Sequence, residues 1–583
     1  MSSAIVASPK PPGTPKPSAT AEISRPVAGL LVVLAMLSPG IPIVIETVRR
    51  AANETAATTQ SPTIPDLLAK TLTGFPNFEG AGLSQLQSFS RQWDQSVRQL
   101  ERSLEETALL NPRSLAGVRG LLVSMGLRSL GNVDIASLHN SPGPRTLFFR
   151  PDILHLTGPG FLAPDALARR TGHPGSPDDG TEWVAQPDPR LAILDFAKQL
   201  KHRGIDLIVM PTPSKAAFTT SWTSGATGTN SAGSPDVLRN ASLRQFVDEL
   251  RAAGVTVFDV ADSLQKPGNQ RPAQPLYLQT DTHWTPLAVQ AAAEELAELI
   301  RMRHSFEGSQ QQWQRDPPKQ VLNTGDLAQL LQLPDSTGWN RPEETSVQPV
   351  RRIPSAKDPA ETAAPVLLLG DSFTNIYDSE ELGWGTDAGL ADQLACELQV
   401  SVQAIAVNGG GASAARQRLF RDLASGRWSL THCRVVIWQF AERELSEGNW
   451  PLLMIPEERR PLSPATVETS NEEWLSLRGR VRAATTVRTP RQLPYPDAII
   501  CVHMDDVTTS GTAVPGGEAL VYTWGVRNRE VVAGSIFQPG QTVNLNVQAW
   551  DQVRTRYERF QRIELDDPEF RLVDLPIYWL ESP

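Results

Sequence analysis

Val366-Leu367-Leu368-Leu369-Gly370-Asp371-Ser372-Phe373 is an apolar run that stops at a glycine and then presents an acid and a hydroxyl. A run this short, aliphatic throughout and closed by Gly, reads as a strand covered on both faces, with the next residues turning into a helix. The pattern recurs on either side. The helical stretch 191–204 runs into a strand at 205–213, 243–254 runs into 255–260, and 400–410 and 434–440 are two more apolar strands. Strands alternating with helices predict an α/β fold with a mainly parallel sheet and helices on both faces, spanning residues 141–456. Residues 305–362, rich in Gln, Pro and charge, interrupt it as an insertion with one short helix at 325–333. From 475 to 583 the helical alternation gives way to strand-like runs, which predict a small all-β domain.

The amino-terminal part reads differently. Residues 1–25 are a Pro/Ser/Ala-rich disordered leader, and residues 26–45 carry no charge, long enough to cross a hydrocarbon layer of ~30 Å. The expectation is a single-pass anchor at 26–48, an inner-membrane location, a cytoplasmic leader and a periplasmic catalytic part. A tether and helical segment fills 49–140, where Leu86, Phe89, Trp93, Val97, Leu100 and Leu104 recur at helical spacing. The chain of 583 residues has a net charge of −10 and no Lys/Arg cluster, which argues against nucleic acid as a partner. Cys396, Cys433 and Cys501 show no metal-ligand spacing, the histidines form no HxH or HExxH pair, and no metal is expected.

Three residue types supply the chemistry. Ser372 sits where an exposed hydroxyl and its own N–H face solvent at a strand end; the bland reading is a turn in which Asp371 or Ser372 caps the following helix. Asp281 and His283, in Asp281-Thr282-His283-Trp284, are spaced so that the carboxylate reaches the imidazole Nδ1–H and leaves Nε2 for a nucleophile; the alternative is an Asp capping the helix that begins near Pro286. Asn408 and Gly409 end another strand and suit an oxyanion hole, or equally a Gly-rich connecting loop. Tyr522, Trp524, Trp550, Tyr578 and Trp579 offer either stacking surfaces for sugar rings or the core of a small barrel.

Taken in order, 277–285, the helix after it and 366–373 resemble the SGNH-hydrolase-like domain of the alginate O-acetyltransferase family of bacterial exopolysaccharide machinery. Residues 145–162, 208–218, 323–334, 406–411 and 436–445 are similar to further blocks of that domain, so the resemblance covers about residues 75–455. It implies a triad of Asp281, His283 and Ser372, with the nucleophile last in the chain, and a substrate contact for Arg443. It also implies acetyl transfer to hydroxyls of an extracytoplasmic polysaccharide through an acetyl-serine. No cofactor is expected to be bound; the acetyl group, ultimately from acetyl-CoA, would be handed over by a multi-pass membrane-bound O-acyltransferase. An acetylesterase using the same triad, and a non-catalytic polysaccharide-binding subunit, are the competing readings. Pro144-Arg145-Thr146-Leu147 departs from the family's usual start, and the region past 475 does not match the alginate proteins' sugar-binding part.

Overall fold

The computed structural model describes residues 129–583 together with Arg119 and Val123, apart from 137–145, 172–185, 219–236, 266–274, 307–311, 354–363, 458–473, 486–492 and shorter gaps. Contacts divide the chain into Met1–Leu109 and Leu110–Pro583, and every described residue belongs to the second unit. The leader, the expected anchor and the apolar stripe at 86–104 therefore lie outside the described residues.

A five-stranded parallel sheet forms the frame. Its strands are β1 (Asp206–Thr212), β2 (Thr256–Val257), β3 (Val366–Gly370), β4 (Val402–Ala406) and β5 (Val435–Ala441), in the order β4-β3-β5-β1-β2. Alternate side chains of each strand go to opposite faces, and the apolar runs fill both. Leu207, Val209, Leu367, Leu369, Val436 and Trp438 pack with Phe196, Phe246 and Phe420, which come from helices α1 (Pro189–Lys201), α2 (Leu243–Ala252) and one we call α5 (Ala414–Ala424). On the other face Ile208, Met210, Val366, Leu368 and Ile437 pack with Leu296, Ile300 and Leu394 from α3 (Pro286–Arg301) and α4 (Leu390–Leu398). The two-sided burial read from sequence is what the central strands show.

The fold-class expectation is nevertheless corrected. Among the described residues no helix is long and apolar enough to cross a membrane, so no transmembrane helix is found there. Nor does parallel pairing dominate. Antiparallel pairing joins Ser129–Leu130, Val133–Ala136 and Thr146–Phe149 into one small sheet. Within the insertion, Gln312–Arg315 pairs with Val350–Ile353 and Lys319–Asn323 with Glu343–Val347, again antiparallel. The carboxy-terminal strands β6 (Leu475–Ala484), β7 (Ala498–Thr509), β8 (Ala519–Arg527), β9 (Thr542–Ala549) and β10 (Ile577–Leu580) close into a barrel: β6 pairs with β7 and β9, β9 with β10, β10 with β8, and β8 with β7. Closure removes the exposed edges that an open sheet of this size would leave. Alternation signals a strand but carries no information about its partner's direction, so the pairing sense is not written in the hydrophobic pattern.

The aromatic residues of this barrel are mostly core. Tyr522, Trp524, Trp550 and Trp579 are buried together, with Tyr557 stacked on Trp579 at 4.0 Å between ring centroids, so they build a packed cluster rather than an exposed sugar platform. Cys396 is half-buried on α4, and Cys433 and Cys501 are buried, none of the three in a disulfide.

The end of β3 is packed too tightly for any side chain. A Cβ on Gly370 would overlap Thr374 Oγ1 and lie 2.8 Å from Gln439 Oε1. That Gln439 oxygen accepts from Asp371 N at 3.0 Å and Thr374 Oγ1 at 2.9 Å, fixing the turn that carries Ser372. Gly370→Ala is expected to cost ~1–3 kcal/mol through overpacking, read as a lower urea midpoint.

Candidate active site

Ser372 opens a one-turn helix, Ser372–Asn375, directly after β3. Asp371 caps that turn by accepting from Phe373 N at 2.9 Å, and its second oxygen accepts from Ala441 N at 3.0 Å, tying the end of β3 to the end of β5. The capping reading and the nucleophile reading of this string thus divide between two residues: Asp371 caps, and the Ser372 hydroxyl is left to meet His283.

His283 reaches the same place from a loop. An isolated antiparallel bridge between Tyr277 and Trp284 pinches residues 277–284 ahead of α3. Trp284 Nε1 donates to the Phe373 carbonyl at 3.0 Å, and the Tyr377 hydroxyl donates to the Trp284 carbonyl at 2.7 Å, locking the loop onto the turn after β3. The result is a relay: the His283 imidazole lies 2.8 Å from Ser372 Oγ through Nε2 and 2.6 Å from Asp281 Oδ1 through Nδ1.

Asp281 does not cap α3. It accepts from the His283 N–H at 3.0 Å as well as from the ring, while its other oxygen accepts from Asp326 N at 3.0 Å and Trp384 Nε1 at 2.9 Å. Burial alone would raise its pKa, but the His283 charge and these donors outweigh it and hold the carboxyl well below the usual range. For His283 burial acts downward, yet the Asp281 carboxylate prevails and raises the imidazole above its ordinary 6.5.

Two carboxylates that the sequence reading did not single out complete the loop's support, both from the insertion. Asp326 accepts from Thr282 N and Thr282 Oγ1, each at 2.7 Å, and lies 3.9 Å from His283 Nδ1. Burial and the neighbouring Asp281 charge push Asp326 up to about 6. Glu343 accepts from Gln279 N at 2.8 Å and Thr280 N at 2.9 Å. The insertion comes this close only because residue 325 is glycine: a Cβ there would overlap the Thr280 carbonyl oxygen and lie 2.6 Å from Asp281 N. The sequence signal was present as Gly325-Asp326 in a block similar to the family's.

The remaining candidates fall in different places. The β3–β4 register pairs Gly370 with Ala406, so Ser372 and Asn408 each follow the carboxyl end of one of two adjacent strands. Asn408 is buried and its Oδ1 has no partner among the described residues, while Gly409 is exposed with φ +66°. Arg443 is taken up by a 3.1 Å ion pair with Asp152 and lies over the Phe149 ring, 5.1 Å from its centroid. Asp281, His283 and Asp326 bring donor atoms within 4.8 Å of one another, as a metal site would. The Nδ1 that a cation would need, however, is engaged by Asp281 at 2.6 Å, and hydrogen bonds already account for the spacing.

Residues 185–442 match the family model described as "SGNH hydrolase-like domain, acetyltransferase AlgX". Over this domain the chain is similar to the alginate O-acetyltransferase family. Among curated relatives, the chain is 26% identical to "Probable alginate O-acetylase AlgJ" of Pseudomonas putida over 47% of this chain and 67% of that protein. The protein of the same name from Pseudomonas aeruginosa is 24% identical, over 34% of this chain and 51% of that one. The chain therefore spans between half and two thirds of the length of these relatives. The solved O-acetyltransferase domain of Pseudomonas putida AlgJ aligns with a TM-score of 0.35 at 22% identity, covering 45% of this chain and 84% of that domain.

The electrostatics of the relay predict a titration. The His283 ring resonances should titrate above 6.5 in the wild type and shift to lower pH in Asp281→Asn, where the raising charge is gone while burial stays. Two-dimensional NMR of labelled histidine reads both.

Proposed function

We propose that this chain is an O-acetyltransferase that moves acetyl groups to hydroxyls of a polysaccharide through an acetyl-Ser372 intermediate. The observation that carries the reading is the unbroken relay from Asp281 through His283 to Ser372, at 2.6 and 2.8 Å. The names of the alginate O-acetylase relatives support the polysaccharide as acceptor.

In this mechanism Ser372 donates its proton to His283 Nε2 as Oγ attacks the donor's acetyl carbonyl. The imidazolium so formed is stabilised by Asp281, which the hydrogen bonds to its two oxygens keep ionised. Buried Asn408 and the Gly409 N–H, which follow the end of the neighbouring strand, are the candidates to stabilise the oxyanion. Collapse expels the donor's leaving group, protonated by His283. A sugar hydroxyl then gives its proton to His283 and takes the acetyl group, restoring Ser372. The residues present need no bound cofactor for these steps; the acetyl group is supplied as an activated ester or thioester. A membrane-bound O-acyltransferase drawing on acetyl-CoA is the partner that the family resemblance suggests.

With an activated acetyl ester as donor, the purified chain should leave net acetyl on an unacetylated alginate oligosaccharide, by mass spectrometry. Net loss from an acetylated one, with no gain, would instead indicate an esterase. Ser372→Ala should lower transfer by roughly 10⁴-fold or more and Asp281→Asn by about 10³- to 10⁴-fold. Because His283 must be neutral to act as base and its pKa is raised, the acid limb of the pH–rate profile should lie above 6.5, activity falling as the pH drops through it.

A further inference from the structure

A side chain from outside the parallel-sheet domain lies against the nucleophile. Tyr495, in the segment that leads into β7 of the barrel, makes a side-chain hydrogen bond to Ser372, and its phenol interacts with the charges of Asp326, Asp281 and Asp371. Ser372 is only 6% exposed and His283 2%. The hydroxyl that must meet an acetyl donor is thus covered, and the half-buried Tyr495 side chain, hydrogen-bonded to it, is part of that cover.

The placement of Tyr495 is built, not incidental. Asn528 and Arg529 form the two-residue turn between β8 and the short strand Glu530–Val531, both with positive φ (+50° and +63°), the conformation of a tight hairpin turn. From that turn Arg529 N donates to the Pro496 carbonyl at 2.7 Å, Arg529 Nη1 donates to the Leu493 carbonyl at 2.5 Å, and Asn528 N donates to Asp497 Oδ1 at 2.8 Å. The backbone is gripped on both sides of Tyr495. Arg529 is itself 7% exposed and feels the charge of Asp326.

We propose that Tyr495, held by the barrel turn at Asn528 and Arg529, is a specificity-determining residue that keeps water from acetyl-Ser372 and so favours transfer over hydrolysis. This rests on the acetyl-serine reading above. In hydrolysis, water attacks the acetyl carbonyl and its proton goes to His283 Nε2. The bond between the carbonyl carbon and Oγ breaks, the proton returns to Oγ, and acetate leaves. In transfer a sugar hydroxyl takes the place of water in the same steps and a sugar acetate leaves. The two paths differ only in which oxygen reaches the carbonyl. A tyrosine side chain hydrogen-bonded to Ser372 competes with a single unbound water for that place, whereas an acceptor sugar bound along the protein surface brings enough contact to displace it. Burial pushes the phenol of Tyr495 well above its ordinary range, so it stays a hydrogen-bond donor and does not compete with His283 as base.

The test measures partition in the full chain. p-Nitrophenyl acetate serves as donor and an unacetylated alginate oligosaccharide as acceptor, and the readout is the ratio of acetate released to acetylated sugar formed. This ratio does not depend on how much of a variant is folded. Tyr495→Ala is expected to raise it by about tenfold, Arg529→Ala to raise it by a smaller factor, and Tyr495→Phe, which keeps the ring, to stay within about twofold of the wild type. An unchanged ratio in Tyr495→Ala, or a Phe variant that partitions like the Ala variant, overturns the proposal. If nitrophenol release does not depend on Ser372, the acetyl-serine reading has failed. Shielding is then read separately from the rate at which methanesulfonyl fluoride labels Ser372: faster labelling in Tyr495→Ala supports the cover by Tyr495, and an equal rate overturns it.

Discussion

Asp281 accepts four hydrogen bonds on two oxygens, from the His283 N–H, the His283 ring, the Asp326 N–H and the Trp384 indole. A buried carboxylate without such partners would protonate or unfold its surroundings. With them it remains ionised, fixes the imidazole tautomer and aims Nε2 at Ser372. Much of the surrounding architecture serves this one anion. The loop around it is held by two further carboxylates, Asp326 and Glu343, which take the N–H groups of Thr282, Gln279 and Thr280 that a tight loop would otherwise leave unpaired.

Three parts of the chain meet at this point. The parallel sheet supplies Ser372 at a strand end, where helices and strands of such folds open a crevice. The insertion supplies Asp326 and Glu343, and the barrel's lead-in supplies Tyr495. Joining them places like charges close together: Asp281 and Asp326 repel, which is one of the two leading reasons that Asp326 is pushed up to about 6. The arrangement is tolerated because each carboxylate is supplied with donors and the imidazole between them carries the opposing charge when protonated.

The sequence revealed those features that are written locally. The run 366–369 alternates its side chains between two buried faces, and both faces are filled as the uninterrupted hydrophobicity implied. Asp281, His283 and Ser372 stood out because their spacing and their places beside turns are local properties, and the structure puts all three in hydrogen-bond contact. What depends on distant pairing was not legible. Nothing in the stretch 305–362 taken alone shows that Asp326 and Glu343 will grip residues 279–282, although Gly325 is what permits the close backbone approach. Barrel closure, the burial of Trp524 and Trp579, and the capture of Arg443 by Asp152 are likewise products of tertiary contact. The residues read as a membrane anchor lie outside the described structure, and the described helices contain no membrane-spanning one.

The central claim is that the relay makes Ser372 a nucleophile that carries acetyl covalently. Its most direct measurement is rapid acid quenching of the full chain after mixing with an activated acetyl ester, followed by proteolysis and peptide mass spectrometry. The account predicts one acetyl group on the peptide containing Ser372, absent from Ser372→Ala and strongly reduced in His283→Ala. Acetyl transfer to the oligosaccharide with no acetylated Ser372 peptide at any quench time, and undiminished in Ser372→Ala, would contradict it.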